Sequence, residues 1–94
     1  RDIVDRSHWR IVDVREPHEW TGELRSIDGA DRVPQGRVVN AVENWSRDDA
    51  LLIVCRSGRR SKTVAGILIN MGFLNVSNLT GGMIAWHETQ KSRK

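Results

Sequence analysis

The chain contains a single cysteine, Cys55, at the start of a short segment rich in arginine and serine. Residues 55–61 read CRSGRRS and directly follow an apolar run at 51–54. An unperturbed cysteine thiol has a pKa of about 8.5, and adjacent cations or a helix N-terminus lower that value. We therefore predict that Cys55 is a nucleophilic thiolate rather than an inert apolar residue.

The segments on either side of Cys55 predict its place in a sheet. The apolar run at 51–54 is typical of a strand buried on both faces of a parallel sheet. After the loop, an apolar face at helical spacing predicts a helix from about Ser61 to Met71. Ligands bind at the carboxyl ends of such strands, where the free N–H groups of the next helix also point. We expect residues 56–60 to form a cradle of backbone N–H groups around an anion.

The rest of the chain alternates between predicted strands and helices. Strands are predicted at 11–14, 30–33, 51–54 and 76–79, and helices at 17–20, 38–45, 61–71 and 83–90. Gly72 stands where a helix would end with a left-handed residue. This alternation predicts an α/β domain with a mostly parallel sheet, and the length suits a single domain over residues 1–94.

The charges are distributed unevenly. Eleven of the twelve carboxylates lie between Asp2 and Asp49, and none lies between Ala50 and His87. Four basic residues surround the cysteine instead: Arg56, Arg59, Arg60 and Lys62. A one-sided cluster of this kind raises the local concentration of small anions. We expect a small anionic substrate, and no nucleic acid, because no basic and aromatic reader motif accompanies the cluster.

The composition also limits which other classes of protein are compatible with this sequence. No apolar run approaches the roughly 20 residues that span a bilayer, and no signal peptide is visible, so no membrane partner is expected. His8, His18 and His87 lack ligand spacing with one another and with Cys55, so we expect neither a metal nor a cofactor. One reduced thiol suits a reducing compartment and favours the cytoplasm.

Three separated motifs together resemble the rhodanese domain: IVDVRE from Ile11, CRSGRRS from Cys55 and GGMIAW from Gly81. The resemblance implies a central five-stranded, mostly parallel sheet with helices on both faces. It also implies a sulfurtransferase in which Cys55 takes sulfur from a donor such as thiosulfate and becomes a persulfide. A thiophilic acceptor, cyanide or a thiol, or a sulfur-accepting protein, then removes that sulfur.

The resemblance assigns roles to the residues around Cys55. The substrate-binding set is the loop itself: Arg56, Ser57, Gly58, Arg59 and Arg60. Arg60 ends the loop and is expected either to meet the substrate or to support the loop. Asp13, Arg15 and Ser61 are expected to support the loop, and Gly81, Gly82 and Trp86 to pack. Ser26 and Asp28 stand where relatives often have histidine and proline, so contacts made by those two residues are in doubt.

Three alternatives stay open. Phosphatases and arsenate reductases of the same fold have a longer loop, with arginine six positions after the cysteine, whereas Ser61 holds that position here. A non-catalytic module of the same fold would bind a partner, although such modules commonly lack the cysteine. A redox sensor would oxidise Cys55 to sulfenic acid, but no second cysteine is present to resolve it.

Overall fold

The computed structural model describes residues 9–22 and 24–91. Its strands are β1 (Arg10–Asp13), β2 (Asp31–Arg32), β3 (Ala50–Val54) and β4 (Asn75–Asn78). Its α-helices are α1 (Pro17–Trp20), α2 (Val38–Ala41), α3 (Arg59–Asn70) and α4 (Gly82–Lys91), and a 3₁₀ turn at Gln35–Arg37 precedes α2. The predicted single domain over residues 1–94 includes residues 1–8, 23 and 92–94, which lie outside the described residues.

The four strands form one parallel sheet in the order β2-β1-β3-β4. In the central pair, Arg10 lies opposite Leu51 and Asp13 lies opposite Val54. Every connection between parallel strands must cross a face of the sheet, and the helices make these crossings. The carboxyl ends of β1 and β3 therefore lie side by side, which places the residues that follow them at one edge of the sheet.

The β3 strand separates two apolar cores. Leu51, Ile53 and Cys55 face one core, which α2 and α3 cover. Leu52 and Val54 face the other, which α4 covers. Residues 51–55 are each at most 6% exposed, as expected for a strand between two helical layers. Burial of each of these aliphatic side chains contributes about 1.5–3 kcal/mol, so the segment before the loop is strongly held.

The α/β class and the parallel sheet are confirmed, but the strand count differs. The resemblance implied five strands, and the described residues contain four. The outer strand β2 has only two residues, because turns with Gly29 at φ +85° and a 3₁₀ segment occupy most of the chain around it. In the described part of the chain, no further segment joins the sheet.

The predicted helix over 38–45 is wrong in extent, because α2 ends at Ala41. The guanidinium of Arg47 binds the carbonyl oxygens that follow this end. Its Nη1 donates to the carbonyl oxygens of Val42, Glu43 and Trp45 at 3.3, 3.3 and 2.9 Å. These carbonyl oxygens therefore have hydrogen-bond partners although the helix does not continue. A buried backbone acceptor needs a donor, and a side chain can supply it in place of a backbone N–H.

The other boundaries differ from the predictions by at most two residues. The α3 helix begins at Arg59 rather than near Ser61, and it ends before Gly72, which has φ +101°. The longest helix among the described residues has 12 residues. No helix in this part of the chain has the length and apolarity required to cross a membrane.

Candidate active site

Cys55 directly follows β3 and is 1% exposed. Its side chain belongs to the core that α3 covers, where Val64 and Leu68 are also buried. The thiol therefore lies at the carboxyl end of a central strand, as the sequence predicted, and under the first turn of the next helix. This is the edge of the sheet at which ligands bind in open parallel folds.

Backbone N–H groups surround the sulfur. The N–H of Gly58 donates to Cys55 Sγ at 3.1 Å, and the N–H of Ser61 donates at 3.3 Å. Gly58 is the residue before α3 and has φ +102°, a conformation that favours glycine. A Cβ there would also lie 3.2 Å from Gly81 N. The loop thus needs glycine at this position to turn its N–H groups toward the sulfur.

These donors favour the thiolate. Burial raises the pKa of Cys55, but the hydroxyl and N–H of Ser61 and the N–H groups of Gly58 and Ser57 lower it further than burial raises it. The net pKa is below the ordinary value for a cysteine. Because these hydrogen bonds are the largest of the influences that lower the pKa of Cys55, the nucleophile is activated mainly by the backbone and one serine.

The hydroxyl of Ser61 lies between two acceptors. Its Oγ donates to the carbonyl oxygen of Gly58 at 3.1 Å, and the thiol of Cys55 lies 3.6 Å from it. A hydroxyl carries one proton, so it can donate either to that carbonyl or to the sulfur. When Cys55 is a thiol it can donate to Oγ, and when it is a thiolate the hydroxyl can turn and donate to sulfur.

The N-terminus of α4 positions the same loop from its other side. Met83 N–H donates to the carbonyl oxygen of Cys55 at 2.7 Å, and Ile84 N–H donates to that of Arg56 at 3.0 Å. Gly82 permits this approach, since a Cβ on it would lie 2.5 Å from both carbonyl oxygens. The sequence analysis assigned the two glycines to packing and missed this role, although the Gly81-Gly82 pair was its visible signal.

Asp13 and Arg15 form a buried ion pair beside the loop. Arg15 Nη2 lies 2.9 Å from Asp13 Oδ2, and the two side chains are 1% and 0% exposed. Arg15 Nη1 also donates to the carbonyl oxygen of Leu24 at 2.7 Å. Ser26, which stands where the resemblance implied a histidine, donates its hydroxyl to Asp13 Oδ2 at 2.8 Å. The carboxylate of Asp13 therefore holds two segments of the chain together.

Arg60 makes a bidentate ion pair with Glu19 of α1. Its Nη1 and Nη2 each lie 2.8 Å from one carboxylate oxygen. The hydrogen bonds from Arg60 lower the pKa of Glu19 to about 2. Glu19 Oε1 also accepts the N–H of Glu16, as part of a capping box at the start of α1. Both terminal nitrogens of the Arg60 guanidinium are thus occupied by a carboxylate of α1.

Arg56, Ser57 and Arg59 are exposed around the loop. Arg56 lines a small cavity of about 140 Å³, whose other walls are Arg15, Glu19, Gly22 and Leu24. No carboxylate of the described residues forms an ion pair with Arg56 or Arg59. As far as the described residues go, these two arginines therefore keep their positive charge available to an approaching anion.

No group of His, Cys, Asp and Glu side chains able to hold a metal ion occurs in the described ranges. His87 Nε2 lies 2.9 Å from the carbonyl oxygen of Arg25, and His18 is exposed on α1. His8 lies outside the described residues. The described chemistry of the site is therefore that of one thiol, backbone donors and arginines.

A family model for the Rhodanese-like domain matches residues 1–89 of the chain. Among curated proteins, a putative mitochondrial thiosulfate sulfurtransferase of Schizosaccharomyces pombe is 32% identical, with 88% of this chain and 66% of that protein covered. The putative sulfur carrier protein YrkF of Bacillus subtilis is 37% identical, with 81% and 40% covered. The thiosulfate sulfurtransferase GlpE of Stutzerimonas stutzeri is 30% identical, with 87% and 73% covered. The chain thus spans less than two thirds of the first two relatives.

Solved structures show the same fold. A rhodanese-related protein of Thermoplasma volcanium superimposes with a TM-score of 0.77 at 28% identity, covering 88% of this chain and 80% of that one. A Rhodopseudomonas palustris protein described as a possible tyrosine phosphatase gives a TM-score of 0.81 at 26% identity, covering 90% and 70%. Both superpositions extend over most of this chain, so the chain shares its fold with these two structures.

Proposed function

The chain belongs to the rhodanese-like domain family, and we propose that it transfers sulfane sulfur through a persulfide on Cys55. The donor is thiosulfate or a persulfide, and the acceptor is cyanide, a thiol or a sulfur-accepting protein. The observation that carries the proposal is the pair of N–H groups, from Gly58 and Ser61, that donate to Cys55 Sγ at 3.1 and 3.3 Å. They stabilise an anionic sulfur both before and after transfer.

In the first half of the reaction, the Cys55 thiolate attacks the outer sulfur of thiosulfate. A new S–S bond forms to Cys55, the S–S bond of thiosulfate breaks, and sulfite leaves with the electron pair. The lowered pKa of Cys55 supports this step, because a thiolate is the nucleophile at neutral pH. The exposed guanidinium of Arg56 is suited to attract the anionic donor and to stabilise the departing sulfite.

In the second half, the acceptor attacks the outer sulfur of the persulfide. The bond between this sulfur and Cys55 breaks, and the thiolate of Cys55 leaves with the electron pair, ready for another cycle. Backbone donors aimed at the position of developing negative charge act as an oxyanion hole does. The N–H groups of α4 keep this loop in position during both steps, and the buried Asp13–Arg15 pair contributes Arg15 to the cavity wall that Arg56 also lines.

The test is intact-protein mass spectrometry after incubation with thiosulfate, beside a Cys55→Ser control. We expect a gain of about one sulfur atom, roughly 32 Da, that is absent from the control and removed by cyanide. The proposal fails if neither thiosulfate nor a low-molecular-weight persulfide adds sulfur to Cys55. Rapid oxidation by peroxide without sulfur loading would favour a redox sensor instead.

The phosphatase alternative is disfavoured because Ser61, and not an arginine, stands six positions after Cys55, and because the guanidinium of the neighbouring Arg60 is already paired. A phosphatase needs a guanidinium free to bind phosphate through two parallel hydrogen bonds. The guanidinium of Arg60 already makes two such bonds, to Glu19. We expect no release of phosphate from an aryl phosphate, measured under the conditions in which Cys55 accepts sulfur.

A further inference from the structure

Glu19 contributes a carboxylate to the wall of the small cavity beside the Cys55 loop. The other walls are two arginines, a glycine and a leucine: Arg15, Arg56, Gly22 and Leu24. A carboxylate is unexpected in a cavity that would receive an anionic sulfur donor, since like charges repel. Support of the loop alone does not explain why the Glu19 carboxylate lies in this wall.

The charges around the cavity are largely compensated. Arg15 is paired with Asp13 at 2.9 Å, and Arg60 is paired with Glu19 through two contacts of 2.8 Å. Glu19 lines the cavity whereas Arg60 does not, so of this ion pair it is the carboxylate-bearing residue that forms part of the wall. Within the described part of the chain, Arg56 is the wall cation that no carboxylate neutralises.

We propose that Glu19 is a specificity-determining residue that favours a persulfide donor of low charge over the thiosulfate dianion. The inference rests on the proposed sulfur transfer and selects between its two donor classes. The pKa of Glu19 of about 2 keeps the carboxylate charged throughout the physiological pH range. The carboxylate therefore acts on every donor in two ways, by direct repulsion and by keeping the Arg60 guanidinium occupied.

The preferred step balances without a co-reactant. The Cys55 thiolate attacks the terminal sulfur of a hydropersulfide R–S–SH, a Cys55–S–SH bond forms, and the thiolate R–S⁻ leaves with the electron pair. The leaving thiolate carries one negative charge, whereas sulfite carries two. Among the described residues of the cavity wall, Arg56 is the guanidinium without a carboxylate partner, and its single charge matches the single charge of the thiolate. One extra charge near a partly hydrated carboxylate is expected to weaken the reaction about three- to tenfold.

The experiment measures how fast Cys55 gains sulfur from each donor. Single-turnover mixtures are quenched and followed by intact mass, with thiosulfate in one series and the hydropersulfide of 2-mercaptoethanol in the other. The readout is the second-order loading rate with thiosulfate divided by that with the hydropersulfide. The variants are Glu19→Gln and Arg60→Gln, and Glu43→Gln is the control, because exposed Glu43 carries the same charge outside the cavity wall.

The two variants should move this ratio in opposite directions. In Glu19→Gln the repulsion is lost and Arg60 is released, so the ratio is expected to rise about three- to tenfold. In Arg60→Gln the carboxylate loses its neutralising partner, so the ratio is expected to fall. Glu43→Gln should stay within about twofold of the wild-type ratio, because an exposed charge outside the cavity wall is screened by solvent and salt.

A purely supporting role for Glu19 would lower both loading rates equally and leave the ratio unchanged, which would overturn the inference. If Glu19→Gln does not fold, Arg60→Gln is the test. A thiosulfate-to-hydropersulfide loading ratio in Arg60→Gln that equals or exceeds the wild-type ratio would overturn the inference. Loading of the wild type from either donor upholds the proposed function whatever the ratio does. Loading from neither donor removes the proposed function and this inference together.

Discussion

Two helices begin beside Cys55, and their first N–H groups act on different parts of the same loop. At α3, the N–H of Ser61 lies 3.3 Å from the sulfur, and the N–H of Gly58 before it lies 3.1 Å away. At α4, the N–H of Met83 donates to the carbonyl oxygen of Cys55 at 2.7 Å. The first helix therefore acts on the reacting atom, and the second acts on the backbone that carries it.

The difference shows how one physical property serves two purposes. Every helix begins with N–H groups that have no partner inside the helix, and these attract negative charge. At α3 they meet a sulfur whose charge changes during the proposed reaction. At α4 they meet carbonyl oxygens whose partial charge is constant, and Gly82 is required because those oxygens approach so closely. Substitutions on the α4 side should therefore affect stability, and those on the α3 side should affect reactivity.

The largest expected effect is that of Gly82→Ala. The new Cβ would lie 2.5 Å from the carbonyl oxygens of Cys55 and Arg56, and the φ of +62° is unfavourable for alanine. We expect the free energy of unfolding to fall by about 3 kcal/mol or more, as for other substitutions that combine a clash with backbone strain. Urea unfolding followed by circular dichroism measures this loss.

Gly66→Ala is the matched control. Gly66 lies inside α3, is exposed, and a Cβ there meets nothing within 4 Å. The same substitution should stabilise the helix by about 0.5–1 kcal/mol, because alanine has the higher helix propensity. If both variants lose stability equally, the close approach of α4 to the loop is not what Gly82 provides.

An intermediate effect is expected from Ser61→Ala, which removes the hydroxyl but keeps the N–H that donates to sulfur. The hydroxyl is the first of the contacts that lower the pKa of Cys55, so its loss should raise that pKa. One hydrogen bond to a charged group corresponds to roughly a tenfold change. We expect the alkylation of Cys55 by iodoacetamide, measured below neutral pH, to slow by up to about tenfold.

Ser57→Ala controls for the loss of a serine in the same loop. Ser57 is exposed and acts on Cys55 through its backbone N–H, which the substitution retains. Its alkylation rate should remain within about twofold of the wild type. Equal slowing of both variants would mean that the Ser61 hydroxyl has no particular contact with the sulfur.

The smallest expected effect is a dependence of stability on pH. Because the folded protein lowers the pKa of Cys55, there is a pH range in which the unfolded chain holds a proton that the folded chain has lost. Between the folded pKa and the ordinary value of about 8.5, stability should rise with pH relative to Cys55→Ser. Below the folded pKa the contribution should disappear. Unfolding free energies of the two proteins across this range test the sign, and a difference that is flat or falls would contradict it.

The parts of the site that the sequence predicted are local in the chain. The buried strand, the cysteine after it and the glycine in the loop lie within nine residues, and their pattern is visible without any distant contact. Residues 51–54 were predicted as a strand buried on both faces, and the observed strand, Ala50–Val54, separates two cores. The pattern of apolar residues predicts such a strand because it directly reflects which side chains are buried.

The parts that the sequence missed depend on contacts between distant segments. Arg60 and Glu19 are 41 residues apart, and neither residue type indicates which partner it will meet. The periodicity over 38–45 predicted too long a helix, because it could not show that Arg47 would bind the carbonyl oxygens of the turn that follows α2. Ser26 was noted only as a departure, and its hydrogen bond to Asp13 required the fold to be known. The periodicity of apolar residues indicates which side of a helix or strand is buried, but not which distant residues its side chains will contact.

The pairing of β1 with β3 also has a consequence for newly made chains. Arg10 lies opposite Leu51, so the central pair of strands closes across about forty residues of intervening chain. Contacts between residues so far apart in the sequence form slowly, because closing the intervening chain into a loop costs conformational entropy. The N-terminus of α4, which holds the carbonyl oxygen of Cys55, comes later still in the sequence. Until these segments meet, Cys55 should be an ordinary thiol of low reactivity, so that a thiolate-selective reagent would count the molecules that have completed folding.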